Sequence, residues 1–458
     1  MGKKSINMCE GPLLGPMIWY TVPIALSGVL QLLFSAADMA VVGHFCGSIS
    51  VAAVGATGAL INLIVALFMS LSVGAGVLVG QAVGANFKNS KADAISRIVH
   101  TAIAVSFITG IILTFVGLMI SRSFLEMMGT PDDVINLSAL YMKIYFCGSA
   151  PLLVYNFGSA ILRALGDSKR PLIYLTLSGI INVILNIVFV MGLKMNVDGV
   201  ALATVISQTI SAVLVVIALM RRNDECRLFI KKLRIYKKEL WGMIKIGFPA
   251  GVQSLVFSVS NVIIQSSVNS FGKFAMSGHA AAGNIDGFVY IIMNSFYQTA
   301  LNFTAQNYGA GNYNRIKKIS YTSLISVSVS GIVTGIIVYI FATPLLSIYI
   351  TDSAESIHYG IVRIAYLCLP YFICGCMEVA TGVIRGMGTS VLPMLVSIFG
   401  VCGIRIVWIY TVFKSPKYHS MESLYASYPI SWLITFLILF IVLSVLINKL
   451  KKRKISEL

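Results

Sequence analysis

The amino-acid sequence predicts an all-α polytopic membrane protein, with about twelve transmembrane helices in two six-helix lobes that repeat in parallel around a central cleft. Three observations predict it. The 458 residues are 57% hydrophobic and only 11% charged, with a mean hydropathy of +0.87, well above the range of soluble globular domains. The apolar residues gather in stretches of about 20 or more, the length that crosses a bilayer as a helix. The basic residues fall mostly in alternate connecting segments, as the positive-inside rule requires.

The stretches run in order from the N-terminus. The first, near 13–43, contains Pro23 and lacks a small-residue cleavage pattern, so it reads as an uncleaved start. The second and third, near 52–79 and 98–120, are joined through GQAVGAN at 80–86. The fourth, near 135–161, leads into SAILRALGDSKRPLI at 159–173. The fifth and sixth, near 171–193 and 197–220, carry the polar interruptions INVILN and ALATVIS. RRNDECRLFIKKLRIYKKELW at 221–241 is the most polar long segment and reads as an amphipathic linker. Beyond it lie a seventh stretch near 243–270 with Pro249, an eighth near 279–304 ending at AQNYGAG, and a ninth near 319–350. The tenth, near 360–383, holds GCMEVATGVIRG. The eleventh, near 390–413, holds Arg405, and the twelfth, near 424–447, ends in a basic tail. The domain division expected from this order is a lobe at 1–220, a linker at 221–240 and a lobe at 241–458.

The formal net charge is +17. Counting connections from an inside N-terminus, 26 of the 34 Lys and Arg lie in or beside inner segments, among them Lys3, Lys4, Lys91 and the runs at 221–238 and 449–454. Both termini are therefore expected in the cytoplasm, with the chain multi-pass in the plasma membrane. A nucleic-acid partner would need these charges on one folded surface, and the spread along the chain argues against one. The eight cysteines show no metal or disulfide spacing, and Cys368, Cys374 and Cys376 in one apolar run read as small buried thiols.

The two halves carry matched landmarks. Pro23 pairs with Pro249 at an offset of 226, and Gln81 and Gly84 pair with Gln306 and Gly309 at 225. Arg163, Gly166 and Pro171 pair with Arg385, Gly388 and Pro393 at 222. Six spans per half is an even number, so both halves start on the same side and the repeat is parallel, about an axis along the membrane normal. The paired glycines Gly84, Gly309, Gly166 and Gly388 are expected to allow sharp inner turns, and the prolines to kink their helices.

Asp38 stands near the middle of LQLLFSAADMAVVGHF. An ionised carboxylate there costs roughly 2.5–3.5 kcal/mol on insertion scales, and intramembrane acids usually mark ion or proton paths. Its counterpart at offset 226 is Ile264, so the acid is not part of the repeated scaffold. That asymmetry favours a specific role over a structural bond to a neighbouring helix. Burial disfavours the charged form of a carboxylic acid, so Asp38 is suited to loading a proton and releasing it when the site opens to water.

The duplicated landmarks resemble those of the multidrug and toxic compound extrusion family, the MATE transporters, within the MOP flippase and exporter superfamily. The resemblance spans almost the whole chain: a Pro in the first helix of each half, the Q-x-x-G-A segments after the second and eighth helices, and the L-R-A-L-G-D and I-R-G-M-G segments after the fourth and tenth. It implies two six-helix lobes and efflux of cationic or amphipathic compounds by antiport against H+ or Na+, with no cofactor. For Asp38 it implies a cation or proton site shared with Asn182 and Asn186 of the fifth helix, four apart and so on one face, Thr204 of the sixth and Tyr141 of the fourth; the alternative for Asn182, Asn186 and Thr204 is that they bond neighbouring helices. Where that branch of the family often has a second Asp, this chain has Asn186, so the site has one titratable group. A branch with a carboxylate in the seventh helix is excluded by Phe257.

In the second half, Glu378 corresponds at offset 222 to Asn156, so the position is polar in both halves. It is expected either to pair with Arg385 or to contact a cationic drug or second cation. Asp286 is expected to contact substrate, to line the outer vestibule, or to be a capped or solvated side chain. Arg405 needs a partner, with Glu378 and Asp286 as the candidates. The 24 Phe, 20 Tyr and 19 Met suit a yielding apolar pocket for flat cations.

An enzyme is not expected, since the sequence has no P-loop and no H-E-x-x-H pair. Small-molecule substrates and the lipid bilayer are the expected partners, with the protein acting as a monomer. The alternative function is a flippase or exporter of a lipid-linked saccharide precursor, which needs several basic residues facing a pyrophosphate. Intramembrane candidates are few: Arg405, Lys143 and Arg363.

Overall fold

A computed structural model describes residues 6–89, 92–351 and 353–456. Lys3, Lys4 and Lys91 of the charge pattern lie outside the described residues. Helices account for almost all of the described chain: α1 Leu14–Phe45, α2 Ser48–Asn89, α3 Ala92–Met127, α4a Asp132–Cys147, α4b Ser149–Ala164, α5 Lys169–Gly192 and α6 Val197–Met220. After the linker come α7 Lys237–Asn269, α8 Lys273–Gly309, α9 Tyr313–Ile340, α10a Ala354–Leu367, α10b Tyr371–Gly386, α11 Val391–Phe413 and α12 Met421–Ser456. The protein is a multi-pass membrane protein.

Nine of the described helices are long and apolar enough to cross a membrane, and eleven spans result if each bent pair counts as one. The bent pairs are α4a with α4b, at 48°, and α10a with α10b, at 46°. Gly148 separates the first pair, and Pro370 precedes the second helix of the other. The remaining expected span is α8, which has 37 residues, ample length, but a polar sequence. Its polarity is internal: His279, Asp286, Thr299, Asn302, Gln306 and Asn307 are all buried. Its place in the protein is set by what it packs against, and its hydropathy hides that.

The chain forms two compact units. Unit 1 takes Ile6 and residues 26–251, and unit 2 takes 7–25 and 252–458. This division departs from the expected one at two points, because the leading part of α1 packs in unit 2, and the linker with the leading part of α7 packs in unit 1. Small side chains make the close packing possible. In unit 1 a Cβ on Gly74 would collide with the Met243 carbonyl, and one on Gly247 with the Leu71 backbone. In unit 2 the corresponding approach carries hydroxyls, Thr21 Oγ1 lying 2.8 Å from Thr299 Oγ1, beside an edge-on contact of Tyr20 with Phe303. Pro23 and Pro249 lie inside α1 and α7.

The repeated turns are only partly as expected. Gly166 and Gly388 adopt φ of 84° and 87°, the left-handed conformation that glycine takes without steric cost. Gly84, however, is buried within α2, and Gly309 closes α8. The left-handed residue after α8 is Gly311, at φ 67°. The expectation overlooked that a helix can run on past a glycine when its neighbours propagate it. Cys368, Cys374 and Cys376 are buried free thiols.

Candidate functional site

Unit 1 contains a half-open cavity of about 590 Å³. Its walls follow from helical spacing. Gln31, Phe34, Ser35 and Asp38 recur at three and four residues and so lie on one face of α1. Leu175, Ser178, Gly179 and Asn182 do the same on α5, and Thr204, Ser207, Gln208 and Ser211 on α6. Tyr141 and Tyr145, one turn apart on α4a, face it with rings 6.3 Å apart and 25° from parallel. Four residues expected from the sequence, Asp38, Tyr141, Asn182 and Thr204, thus line one space.

The fifth, Asn186, sits behind that wall and holds the acid. Its Nδ2 donates to Asp38 Oδ1 at 2.5 Å and stands 3.4 Å from Asn182 Oδ1. Asn182 Nδ2 is 3.5 Å from Thr204 Oγ1. A hydrogen bond to an ionised acceptor contributes about 1.5–3 kcal/mol, the same order as the cost of the carboxylate in the membrane. Asn186 therefore offsets much of that cost. Asn186 Oδ1 is buried and has no partner among the described residues.

Five hydroxyls in the wall donate to backbone carbonyls of their own helices: Thr57 to Val54, Ser178 to Leu175, Thr204 to Val200, Ser207 to Thr204 and Ser211 to Gln208, all at 2.7–3.0 Å. With their protons committed, these oxygens present lone pairs. No Lys or Arg is among the lining residues. The wall therefore combines one carboxylate, oxygen acceptors and a soft surface of Phe34, Met39, Met69, Tyr141, Tyr145 and Tyr155, a surface suited to planar cations. Tyr145, Gln208, Gln31 and Ser35 were missed in the sequence. The signal was there, because Tyr145 follows Tyr141 by four, and Gln31 and Ser35 precede Asp38 by seven and three.

Of the second-half candidates, Asp286 and Arg405 are held by other partners. Asp286 is engaged in a buried ion pair: Arg363 Nη2 and Nε lie 2.7 and 3.0 Å from its Oδ2. Arg363 also contacts His279, through Nε2 at 2.5 Å and the carbonyl at 3.2 Å, and His279 Nδ1 is 2.9 Å from Tyr425 Oη. Arg405 pairs with neither expected acid. Its guanidinium lies 3.9 Å from the Tyr428 ring centroid and 5.8 Å from that of Trp432, and Nε donates to Ser431 Oγ at 3.1 Å. The aromatic faces supply the negative potential that a carboxylate was expected to supply. Arg385 makes no ion pair with Glu378 either. It donates to Tyr297 Oη at 2.9 Å and Gln253 Oε1 at 2.6 Å. Glu378 is 7% exposed. Asn156 Nδ2 only closes back on the Leu152 carbonyl, and Arg163 ends α4b before the Gly166 turn.

Among the described residues no cluster of three or more His, Cys, Asp or Glu side chains has the arrangement of a metal site.

The model of the MatE family matches residues 23–188 and 249–411. The "Probable multidrug resistance protein YoeA" of Bacillus subtilis is 29% identical over 432 residues, 91% of each chain. The "Probable multidrug resistance protein NorM" of Thermotoga maritima is 24% identical over 399 residues, 85% of this chain and 83% of the other. Among solved structures, the "Outward-facing conformation of a multidrug resistance MATE family transporter of the MOP superfamily" superposes with a TM-score of 0.90 at 19% identity, over 99% of this chain and all of the other.

Proposed function

The chain belongs to the MatE family, and on that premise we propose that it is a multidrug efflux transporter, a secondary antiporter that exports cationic or amphipathic compounds in exchange for H+ or Na+. The observation that carries this reading is the unit 1 cavity, whose one carboxylate, Asp38, is held by Asn186 and surrounded by oxygen acceptors and aromatic rings. The relatives named as multidrug resistance proteins support the substrate class.

In the proposed cycle, Asp38 binds a proton or sodium ion while the cavity faces the outside. Neutralising the carboxylate weakens its bond to Asn186, so the α1 to α5 contact differs between loaded and empty states. A ligand shifts a conformational equilibrium only through such a difference. Release of the ion to the inside restores the charge that attracts a cationic drug. For sodium, the carboxylate, the Asn182 and Asn186 side-chain oxygens and Thr204 Oγ1 are the proposed ligands. The proposed setting is the plasma membrane, with both termini cytoplasmic and the protein working as a monomer. The absence of Lys and Arg from the cavity lining speaks against the flippase alternative, which needs basic groups for a pyrophosphate.

The test is efflux of a fluorescent cation from proteoliposomes under a pH gradient alone and a sodium gradient alone. Wild type should respond to one of them, which identifies the ion, and Asp38→Asn should fall to the level of empty liposomes. An Asp38→Asn protein that still couples efflux to a gradient overturns the assignment, with Glu378→Gln the next variant to assay. A wild type that moves no cation under either gradient returns the flippase to first place.

A further inference from the structure

At the basic ends of α9 and α12, unit 2 contains a second, smaller cavity of about 140 Å³. Its lining changes character along the helices. Lys317, Ser320, Tyr321, Ser444 and Asn448, with the apolar Ile447 among them, lie toward the basic end, and Leu324, Phe440 and Leu443 lie deeper. Lys317 Nζ stands 5.8 Å from the Tyr321 ring centroid. Ser320 and Ser444 donate to their own backbones, so the donors left for a ligand are Lys317, the Tyr321 hydroxyl and the Asn448 amide. Lys318, Lys449 and Lys452 are exposed on the same turns, and neither 313–324 nor 440–456 contains an acid.

Unit 1 shows what such a groove takes. Aligning the first residues of α3 and α9 gives an offset of 221, and of α6 and α12 an offset of 224. The counterparts of Tyr321 and Leu443 are then His100 and Leu219. In unit 1 the linker fills the space between those two residues. The Leu228 amide donates to the Leu219 carbonyl at 3.1 Å, and the Phe229 amide to His100 Nε2 at 3.0 Å. The Phe229 ring stacks parallel to His100, and Cys226 and Leu228 are 3% and 2% exposed. In unit 2 no described segment of the chain fills the equivalent space.

We propose that this groove binds a phospholipid with an anionic headgroup, from the leaflet that faces the basic ends of the helices. Its phosphate sits against Lys317, Tyr321 and Asn448, and an acyl chain lies along Leu324, Phe440 and Leu443. The polarity of the lining runs in the same order as that of a lipid, and basic pockets between transmembrane helices are known to take anionic headgroups. The lipid replaces in unit 2 the packing that the linker supplies in unit 1. This inference is independent of the transported substrate and of Asp38.

Native mass spectrometry of the detergent-solubilised protein tests it, with phosphatidylglycerol and phosphatidylcholine titrated separately and in the presence of excess inorganic phosphate. Wild type should bind one phosphatidylglycerol in preference to phosphatidylcholine. Lys317→Gln should weaken it about fivefold, the loss of one lysine at an anionic surface, while Lys238→Gln, at an exposed lysine elsewhere, should not. Ser444→Phe should fill the groove and abolish the bound lipid; if that variant does not yield monodisperse protein, Lys317→Gln decides alone. Equal affinity for the two lipids, or equal behaviour of Lys317→Gln and Lys238→Gln, overturns the proposal. Full displacement by inorganic phosphate also overturns it, in favour of a free-anion site.

Discussion

The two units share a helical plan and fill the same interior differently. In unit 1, Val54, Ile61, Tyr141, Thr204 and Gln208 border open space around Asp38. At the offsets of 225, 222 and 224 that relate the helices, these positions become His279, Asp286, Arg363, Tyr428 and Trp432 in unit 2. Those groups close on themselves as an ion pair with a histidine, and as an aromatic box around Arg405. Asp38 itself becomes Ile264, 1% exposed in the hydrophobic core. At these positions a duplicated scaffold lines a cavity in one unit, and in the other pairs Asp286 with Arg363 and packs aromatic rings around Arg405. The difference teaches that equivalent positions of one scaffold can border a cavity in one unit and carry a closed ion pair and an aromatic box in the other.

The comparison can be broken most easily at the filled side. Arg363→Ala leaves Asp286 buried without its partner and should destabilise the protein by about 3–5 kcal/mol, whereas the double replacement Arg363→Met with Asp286→Leu should recover most of it. Thermal unfolding in detergent reads both, and a double variant as unstable as the single one means the pair does more than pack. Next in size, Ile264→Asp places an acid where unit 2 has no Asn186 equivalent to receive it. The expected cost is roughly 2.5–3.5 kcal/mol, with no gain of transport, and a well-folded variant with new ion coupling would show the two interiors to be interchangeable.

On the open side, Asn186→Leu removes the donor to Asp38. Stability should change by about 1.5–3 kcal/mol, and the concentration of coupling ion at half-maximal efflux should move by at least tenfold; an unchanged ion dependence detaches Asn186 from the site. The smallest effect is expected for Tyr428→Leu, which strips one face from the Arg405 box at a cost of about 2 kcal/mol. Its efflux kinetics should stay at the wild-type level, and altered substrate selectivity would turn the box from packing into a binding surface.

Much of this was readable from the chain. The spans follow from local composition, so their positions near 13–43 or 197–220 agree with α1 and α6 to within a few residues. The repeat follows from landmarks at fixed offsets. Asp38 stood out because an acid is expensive in an apolar helix, and Asn182 and Asn186 entered through the family resemblance. The Arg363 pair did not, because the two residues are 77 positions apart and nothing local to either names the other. Arg405 was assigned a carboxylate because charge complementarity is the simplest partner rule, and Tyr428 and Trp432 look like ordinary membrane aromatics until their faces are placed beside it. Gly84 misled because a glycine pattern does not reveal whether a helix continues through it.

By itself the sequence determined the class of the protein, the number and order of its helices to within the polar α8, the duplication, and the position of Asp38 within the first span. These are properties of residue type and spacing, which each helix carries alone. The tertiary structure alone decided which charges are paired, where the cavity lies, and that the leading ends of α1 and α7 pack outside their own halves. Those depend on the rotation and crossing of helices, set by small-residue contacts such as Gly74 with Met243, and close packing between helices has no signature within any single one of them.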